Sequence, residues 1–185
     1  MGDRRINVPA NYTIYPKDRR AGTRQSLALY AFWPTMNGYA PARRDDFTLH
    51  EDDSRRIDIL IEERRSHFSE RQRMELLYLP HVVDKRGQPF DYDLKKYVFK
   101  EASENSPTNG YSNKDLYVGA SETDDLVVIF CYQFETETVV PEECWREFDL
   151  SPLLTVKYLY KRQYLPEWAS IDAAVQEFLD EIVVN

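Results

Sequence analysis

The end of the chain constrains the fold most, because a strand pattern there runs directly into a helix pattern. From Leu153 to Leu165 apolar and polar residues alternate, which is the period of a β-strand with one buried face. From Trp168 onward the apolar residues recur at helical spacing, at Ile171, Val175, Phe178 and Ile182. The pattern predicts a helix that packs its apolar stripe against a sheet.

Further strand patterns precede this helix and together predict a sheet of about six or seven strands. They cover residues 26–33, 57–61, 94–100, 116–119, 126–134 and 145–150, and residues 74–83 also have strand-like apolar character. Ser66 or Ser69 could cap a short helix in the charged stretch 62–73. The fold class predicted is α+β, a single domain of mainly antiparallel β-sheet with a C-terminal helix packed on it. Residues 1–20 are expected to form an extended N-terminal segment, and residues 21–185 the domain.

The net charge of −8 disfavours nucleic acid as a partner, since phosphate backbones are bound by Lys and Arg. An acidic surface is typical of a soluble protein or of one that attracts a basic partner. No apolar run approaches the roughly 20 residues that a transmembrane helix needs, so we expect no transmembrane segment.

The first 17 residues are polar and interrupted by proline, and they show no apolar leader. A mature exported chain whose leader has been removed would begin in the same way. We therefore expect a periplasmic protein, with a cytoplasmic location as the alternative.

The two cysteines, Cys131 and Cys144, allow one intramolecular pairing. If residues 135–143 close a hairpin, the two cysteines could face each other across it and form a disulfide. The alternative is two buried, reduced thiols. A disulfide would indicate an oxidising compartment.

The sequence carries no recognisable catalytic, metal-binding or cofactor-binding motif. The three histidines, His50, His67 and His81, lie in charged or turn-like contexts, and no metal-ligand spacing or glycine-rich phosphate loop occurs. We therefore expect no cofactor, no metal and no enzymatic activity. One alternative is a hydrolase with spatially assembled carboxylates or with Cys144 as nucleophile, and another is a structural or assembly subunit of a secretion or envelope machine.

Aromatic and charged residues near turns and strand ends are the candidates for binding a protein partner, because Tyr and Trp anchor interfaces and charged neighbours form polar rims. They lie in or beside the loops 34–55 and 101–125. The candidate set is Trp33, Tyr39, Arg43, Arg44, Asp45, Asp46, Tyr111, Tyr117, Asp124 and Asp125.

Two segments resemble a known family. The segment 31–39, AFWPTMNGY, together with 164–168, YLPEW, and the helix that follows, is similar to small immunity proteins of type VI secretion systems, which are encoded beside antibacterial toxins. The resemblance implies a protein, often periplasmic and frequently a lipoprotein, that neutralises a cognate effector by occluding its active site. The cysteine that carries the lipid in such lipoproteins is absent here, so we expect the lipid anchor to be missing from this chain.

Overall fold

An eight-stranded antiparallel sheet forms the centre of the fold. The computed structural model describes residues 4–45, 54–101, 111, 113–121, 123–133 and 142–184. The strands of the sheet are β2 (Ser26–Phe32), β3 (Arg56–Glu63), β4 (Gln88–Phe90), β5 (Leu94–Tyr97), β6 (Lys114–Ala120), β7 (Leu126–Tyr132), β8 (Glu143–Ser151) and β9 (Leu154–Lys161). Their order across the sheet is β2-β3-β9-β8-β7-β6-β5-β4.

The first and last strands that the structure describes form a separate two-stranded sheet. Strand β1 (Arg5–Ile6) pairs antiparallel with β10 (Val183–Val184), and the Asn7 amide donates to the Ile182 carbonyl at 2.7 Å. Two 3₁₀-helices, Ala10–Tyr12 and Pro16–Arg19, then lead to β2. Residues 5–7 are therefore attached to the end of the C-terminal helix and to β10, and the predicted boundary between residues 20 and 21 stays a prediction.

Two helical segments contact the sheet. The C-terminal helix, Trp168–Ile182, follows a 3₁₀-helix over Arg162–Glu167. The other segment begins with the short helix Glu70–Arg73 and continues as a π-helical turn, Met74–Tyr78, and a 3₁₀-helix, Leu79–His81. A further 3₁₀-helix covers Pro41–Arg43. None of the helices in the described segments has the length and apolar character that crossing a membrane requires.

The segment 74–83 is helical over most of its length, so the strand-like interpretation of it was wrong. Its apolar residues divide between a buried side, with Met74, and an exposed side, with Leu76 and Leu77. The capping box between Ser69 and Gln72 starts the helical segment, and this local signal outweighs the apolar composition.

The two faces of the sheet carry separate apolar clusters. The larger one joins the sheet to the C-terminal helix, which contributes Ile171, Val175, Phe178, Leu179 and Ile182. The smaller one lies under the helical segment 70–81 and includes Met74, Val82, Tyr97, Phe99, Leu116, Val128 and Phe130. This architecture confirms the predicted fold class of an antiparallel sheet with the C-terminal helix packed on it.

Candidate functional site

The junction of β7 and β8 is paired at one end and open at the other. The register joins Ile129 to Arg146, Phe130 to Trp145, and Cys131 to Cys144. Among the described residues, the start of β7 pairs further only with β6, and the end of β8 only with β9. We call the gap between Leu126–Val128 and Glu147–Ser151 the β7–β8 fork.

Side chains of the short helix Glu70–Arg73 bond to both strands of the fork. The Glu70 carboxylate accepts the Val128 N–H at 2.9 Å, and the Arg73 guanidinium donates to the Glu147 carbonyl at 3.0 Å. Buried backbone groups without partners cost free energy comparable to a lost hydrogen bond. The helix therefore replaces ladder bonds that the diverging strands do not make with each other.

Arg146 links this helix to the C-terminal helix through the fork. Its guanidinium donates to both carboxylate oxygens of Glu70, at 3.1 and 2.9 Å, and to Asp172 at 2.5 Å. Asp172 also accepts hydrogen bonds from the Tyr158 hydroxyl and the Gln176 amide, each at 2.7 Å. Because only 5% of the Arg146 side chain is exposed, these bonds replace its hydration.

Burial and pairing have opposite effects on the pKa values of this cluster. Burial alone would lower the pKa of Arg146, but the hydrogen bonds and negative charges of Glu70 and Asp172 raise it overall. For Glu70, burial raises the pKa of the carboxyl, and the pairing with Arg146 offsets only part of that rise. Burial and then Asp172 raise the pKa of Tyr158 well above its ordinary value. The cluster is a structural ion network whose arginine stays charged.

A cavity of about 470 Å³ opens on this network, and we call it the fork cavity. Its lining carries four carboxylates and two guanidinium groups. The residues are Ser69, Glu70, Arg71, Ser121, Asp125, Leu126, Arg146, Phe148, Asp149, Leu150, Gln176 and Asp180. Asp125, Asp180 and Arg71 are exposed, so the outer part of the cavity carries two carboxylates and one guanidinium group, with a net negative charge. Such a surface can bind a cationic side chain from a partner.

The groups in the fork cavity do not form a nucleophilic site. The hydroxyls of Ser69 and Ser121 accept the backbone N–H groups of Gln72 and Asp125, and no described histidine lines the cavity. Within the described segments, no three His, Cys, Asp or Glu side chains are grouped so that they could hold a metal ion. The arrangement is suited to binding and carries no nucleophile with an adjacent base.

Two of the predicted contact residues lie in the core. Trp33 is 6% exposed and its indole N–H donates to Glu167 at 2.9 Å, while Tyr117 is 1% exposed and its hydroxyl donates to Asp115 at 3.3 Å. Both rings belong to the cluster beneath the C-terminal helix. A partner could reach them only if the core opened.

The other predicted contact residues are distributed over separate places. Tyr39 and Arg43 are half-buried, with the Arg43 guanidinium 3.4 Å from the centre of the Phe32 ring, and Arg44 and Asp45 are exposed. Asp46 lies outside the described residues.

Tyr111 and Asp124–Asp125 lie at opposite ends of the β6–β7 pair. Tyr111 stacks on Phe99, with ring centres 4.6 Å apart, on the face opposite the C-terminal helix. Asp124 and Asp125 are exposed in the β6–β7 turn, and of the predicted contact residues that the structure describes, only Asp125 lines the fork cavity.

The structure joins Cys131 and Cys144 by a disulfide between paired residues of β7 and β8, with Cα atoms 3.9 Å apart. Both residues are fully buried. In this state Cys144 has no thiol, which removes the nucleophile that the cysteine-hydrolase alternative requires.

The central residues of the fork were not among the predicted site residues. Arg146 follows Cys144 by two positions in β8 and therefore shares its inward face, which is an unusual place for a charge. An inward arginine in a strand is the signal that points to a buried carboxylate partner. Its partners, Glu70 and Asp172, are 76 and 26 residues away in sequence, so spacing alone could not have identified them.

Comparison with known proteins shows a shared fold. The sequence matches no family model and no curated protein. The structure is similar to that of an immunity protein of the Stenotrophomonas maltophilia type IV secretion system, with a TM-score of 0.64 and 19% identity over 100% of this chain and 92% of that chain. It also matches the iron-regulated outer membrane lipoprotein FrpD of Neisseria meningitidis, with a TM-score of 0.49 and 14% identity over 87% and 76% of the two chains.

The first of these neighbours is a secretion-system immunity protein, the class that the two sequence segments resemble. It belongs to a type IV system, whereas the sequence resemblance indicated type VI. At 19% identity the likeness establishes the fold.

Proposed function

We propose that this chain is a non-enzymatic immunity protein that binds a cognate antibacterial effector and neutralises it by occluding its active site. The observation that carries the proposal is the fold shared with a secretion-system immunity protein along the whole chain. The fork cavity supports it, because the groups that line it are suited to binding and include no activated nucleophile.

The fork cavity is the part of the surface that we assign to the effector. Asp125 and Asp180 lie at its exposed edge, and the chain as a whole carries a charge of −8. Complementary charge accelerates encounter with a basic partner, and a preformed surface limits the entropy lost on binding. The ion network of Arg146 holds the base of the cavity in place before any partner arrives.

A periplasmic location belongs to the same proposal. A disulfide between Cys131 and Cys144 is stable in an oxidising compartment and is rare in the cytosol. An effector delivered into the periplasm would meet its immunity protein there.

Neutralisation can be tested in growing cells. The protein encoded beside this chain would be expressed in the periplasm, alone and together with this chain, and growth recorded. We expect the neighbouring protein to arrest growth and this chain to restore it. Failure of this chain to restore growth, with both proteins present in the periplasm, would contradict the proposal.

A matched pair of variants tests whether the fork cavity is the surface that binds the effector. Asp125→Lys with Asp180→Lys reverses two charges at the fork cavity, whereas Asp91→Lys with Glu101→Lys reverses two exposed charges elsewhere. We expect only the first pair to lose protection. Equal protection by both pairs would exclude the fork cavity as the binding surface.

A further inference from the structure

The N-terminal segment forms a second cavity, of about 490 Å³, whose charge is opposite to that of the fork cavity. Its lining contains five arginines, Arg4, Arg5, Arg19, Arg20 and Arg24, and one carboxylate, Asp18. We call it the arginine pocket. We propose that it binds a phosphate group, carried either by a small soluble anion or by a phospholipid headgroup.

One side of the arginine pocket is a loop folded around Arg24. The Arg24 guanidinium donates to the carbonyls of Lys17 and Arg20, at 2.9 and 3.0 Å, and to that of Thr23 at 3.1 Å. It also pairs with Asp18, with 3.4 Å between Nε and Oδ1. This ion pair leaves Asp18 Oδ1 without a hydrogen-bond partner among the described residues, and Arg24 holds the loop that carries the exposed Arg19 and Arg20.

Gly22 allows this loop to close. Its φ of +156° is rarely adopted by residues with a side chain, and a Cβ there would lie 2.7 Å from Nη1 of Arg24. A side chain at this position would push the guanidinium away from the carbonyls that it holds. The loop geometry is therefore specified by the sequence at Gly22 and Arg24 together.

The opposite side of the arginine pocket is fixed by backbone pairing. Arg5 lies opposite Val184 in the β1–β10 pair, and Arg4 precedes it. Since the Asn7 amide also bonds to the end of the C-terminal helix, this wall is attached to the main fold. Two walls that are held independently bring their arginines to one cavity.

The chemistry of these side chains favours phosphate. Guanidinium groups stay charged and donate paired hydrogen bonds that match the spacing of phosphate oxygens. Arg5, Arg19 and Arg20 are exposed at this cavity, and the mutual repulsion of cations brought together falls when an anion binds among them. The cavity volume lies within the roughly 300–1,000 Å³ that small-ligand sites occupy.

Titration calorimetry with inorganic pyrophosphate, and sedimentation with phosphatidylglycerol or phosphatidylcholine vesicles, would test the proposal. Arg5→Gln with Arg20→Gln removes one guanidinium from each wall. Arg65→Gln with Arg86→Gln removes the same charge from exposed positions elsewhere and serves as the matched control. We expect the pocket variant to weaken binding about tenfold or more, since hydrogen bonds to charged groups are lost. The control should bind like the unmodified chain.

Binding of pyrophosphate that depends on the pocket arginines identifies a soluble anion as the source of the phosphate. Binding only to phosphatidylglycerol vesicles, with the same dependence, identifies a lipid headgroup. No binding to either probe, or equal weakening in both variants, would overturn the proposal. The variant Gly22→Ala gives an independent check, because it disturbs the loop without removing a charge and should also weaken binding.

Discussion

The two ends of the β7–β8 junction are stabilised in different ways. At the paired end, three residue pairs and the disulfide join the strands, and Arg162 bonds to the Tyr132 carbonyl at 2.7 Å and to the Asp115 carboxylate. At the open end, the fork, the strands share no pairs among the described residues, and Arg146 of β8 bonds there to Glu70 and Asp172 from two helices. The contrast shows that an ion network stabilises the open end, where the sheet has no ladder, and the cavity at this end is the surface that we propose for binding the effector.

Each end contains a buried carboxylate, and their pKa values shift in opposite directions. Burial favours the protonated form of both. At the paired end, the hydrogen bonds from Lys96 and Arg162 outweigh burial and lower the pKa of Asp115. In the fork, burial outweighs the bonds from Arg146 and Val128 and raises the pKa of Glu70. The charged form of the carboxylate is therefore less favourable in the fork than at the paired end.

The largest expected effect is the loss of Arg146. The substitution Arg146→Ala leaves the buried carboxylates of Glu70 and Asp172 without their cation, so we expect the free energy of unfolding to fall by about 3–5 kcal/mol. Urea denaturation would measure it. As a control, Arg71→Ala removes an exposed arginine from the lining of the same cavity and should change stability by less than about 0.5 kcal/mol.

A loss below about 1 kcal/mol for Arg146→Ala, within the range of a surface ion pair, would contradict the account of the fork. The triple variant Glu70→Gln, Arg146→Met, Asp172→Asn sharpens the test. It should be more stable than Arg146→Ala, because it leaves no buried carboxylate unpaired.

The paired end should depend on its disulfide. The double substitution Cys131→Ala, Cys144→Ala removes a link across 13 residues of sequence and should lower the free energy of unfolding by about 2–4 kcal/mol. Alkylation of the denatured, unreduced chain followed by mass spectrometry shows whether the two cysteines of the unmodified protein form the disulfide. Labelling of both cysteines before reduction would show free thiols and contradict this prediction.

The opposite pKa shifts give a pH test with opposite signs. The Asp115 pKa is lowered from 3.8, so its contribution to stability is present above that value and is lost as the pH falls through the lowered pKa. The Glu70 pKa is raised from 4.5, so its contribution is present below that value and is lost as the pH rises through the raised pKa.

The comparison variants are Asp115→Asn and Glu70→Gln, with unfolding measured from acid to neutral pH. The stability of the unmodified chain relative to Asp115→Asn should decrease toward acid, and that relative to Glu70→Gln should decrease toward neutral pH. If both stability differences change with pH in the same direction, the pKa values of Asp115 and Glu70 are not shifted in opposite directions.

The paired end was largely predictable from sequence, whereas the fork was not. The apolar pattern predicted strands over 126–134 and 145–150, and a hairpin closed by residues 135–143 would bring Cys131 opposite Cys144, with two buried, reduced thiols as the alternative. The fork depends on where two strands separate and on a helix that begins at Ser69 within a charged stretch. Glu70 appeared there as one of many solvated charges, because nothing near it in sequence reveals a buried arginine.

The candidate contact residues show the same limit. Trp33 and Tyr117 are placed beside turns by the sequence, yet both are buried, because turn proximity does not determine which face of a strand is covered. Asp125 reaches the fork cavity only because the β6–β7 turn lies at the open end of the junction. The spacing of apolar residues predicted the strands of the sheet, but tertiary contacts decide which of the candidate side chains lie on the surface.

The most direct test of the central claim is the affinity of the neighbouring gene's product for this chain, measured by titration calorimetry. We predict a dissociation constant below about 1 μM, weakened about tenfold or more by Asp125→Lys with Asp180→Lys and unchanged by Asp91→Lys with Glu101→Lys. Binding weaker than micromolar would contradict the immunity function. Tight binding with a dissociation constant that is unchanged by the charge reversal would contradict the assignment of the fork cavity as the binding surface.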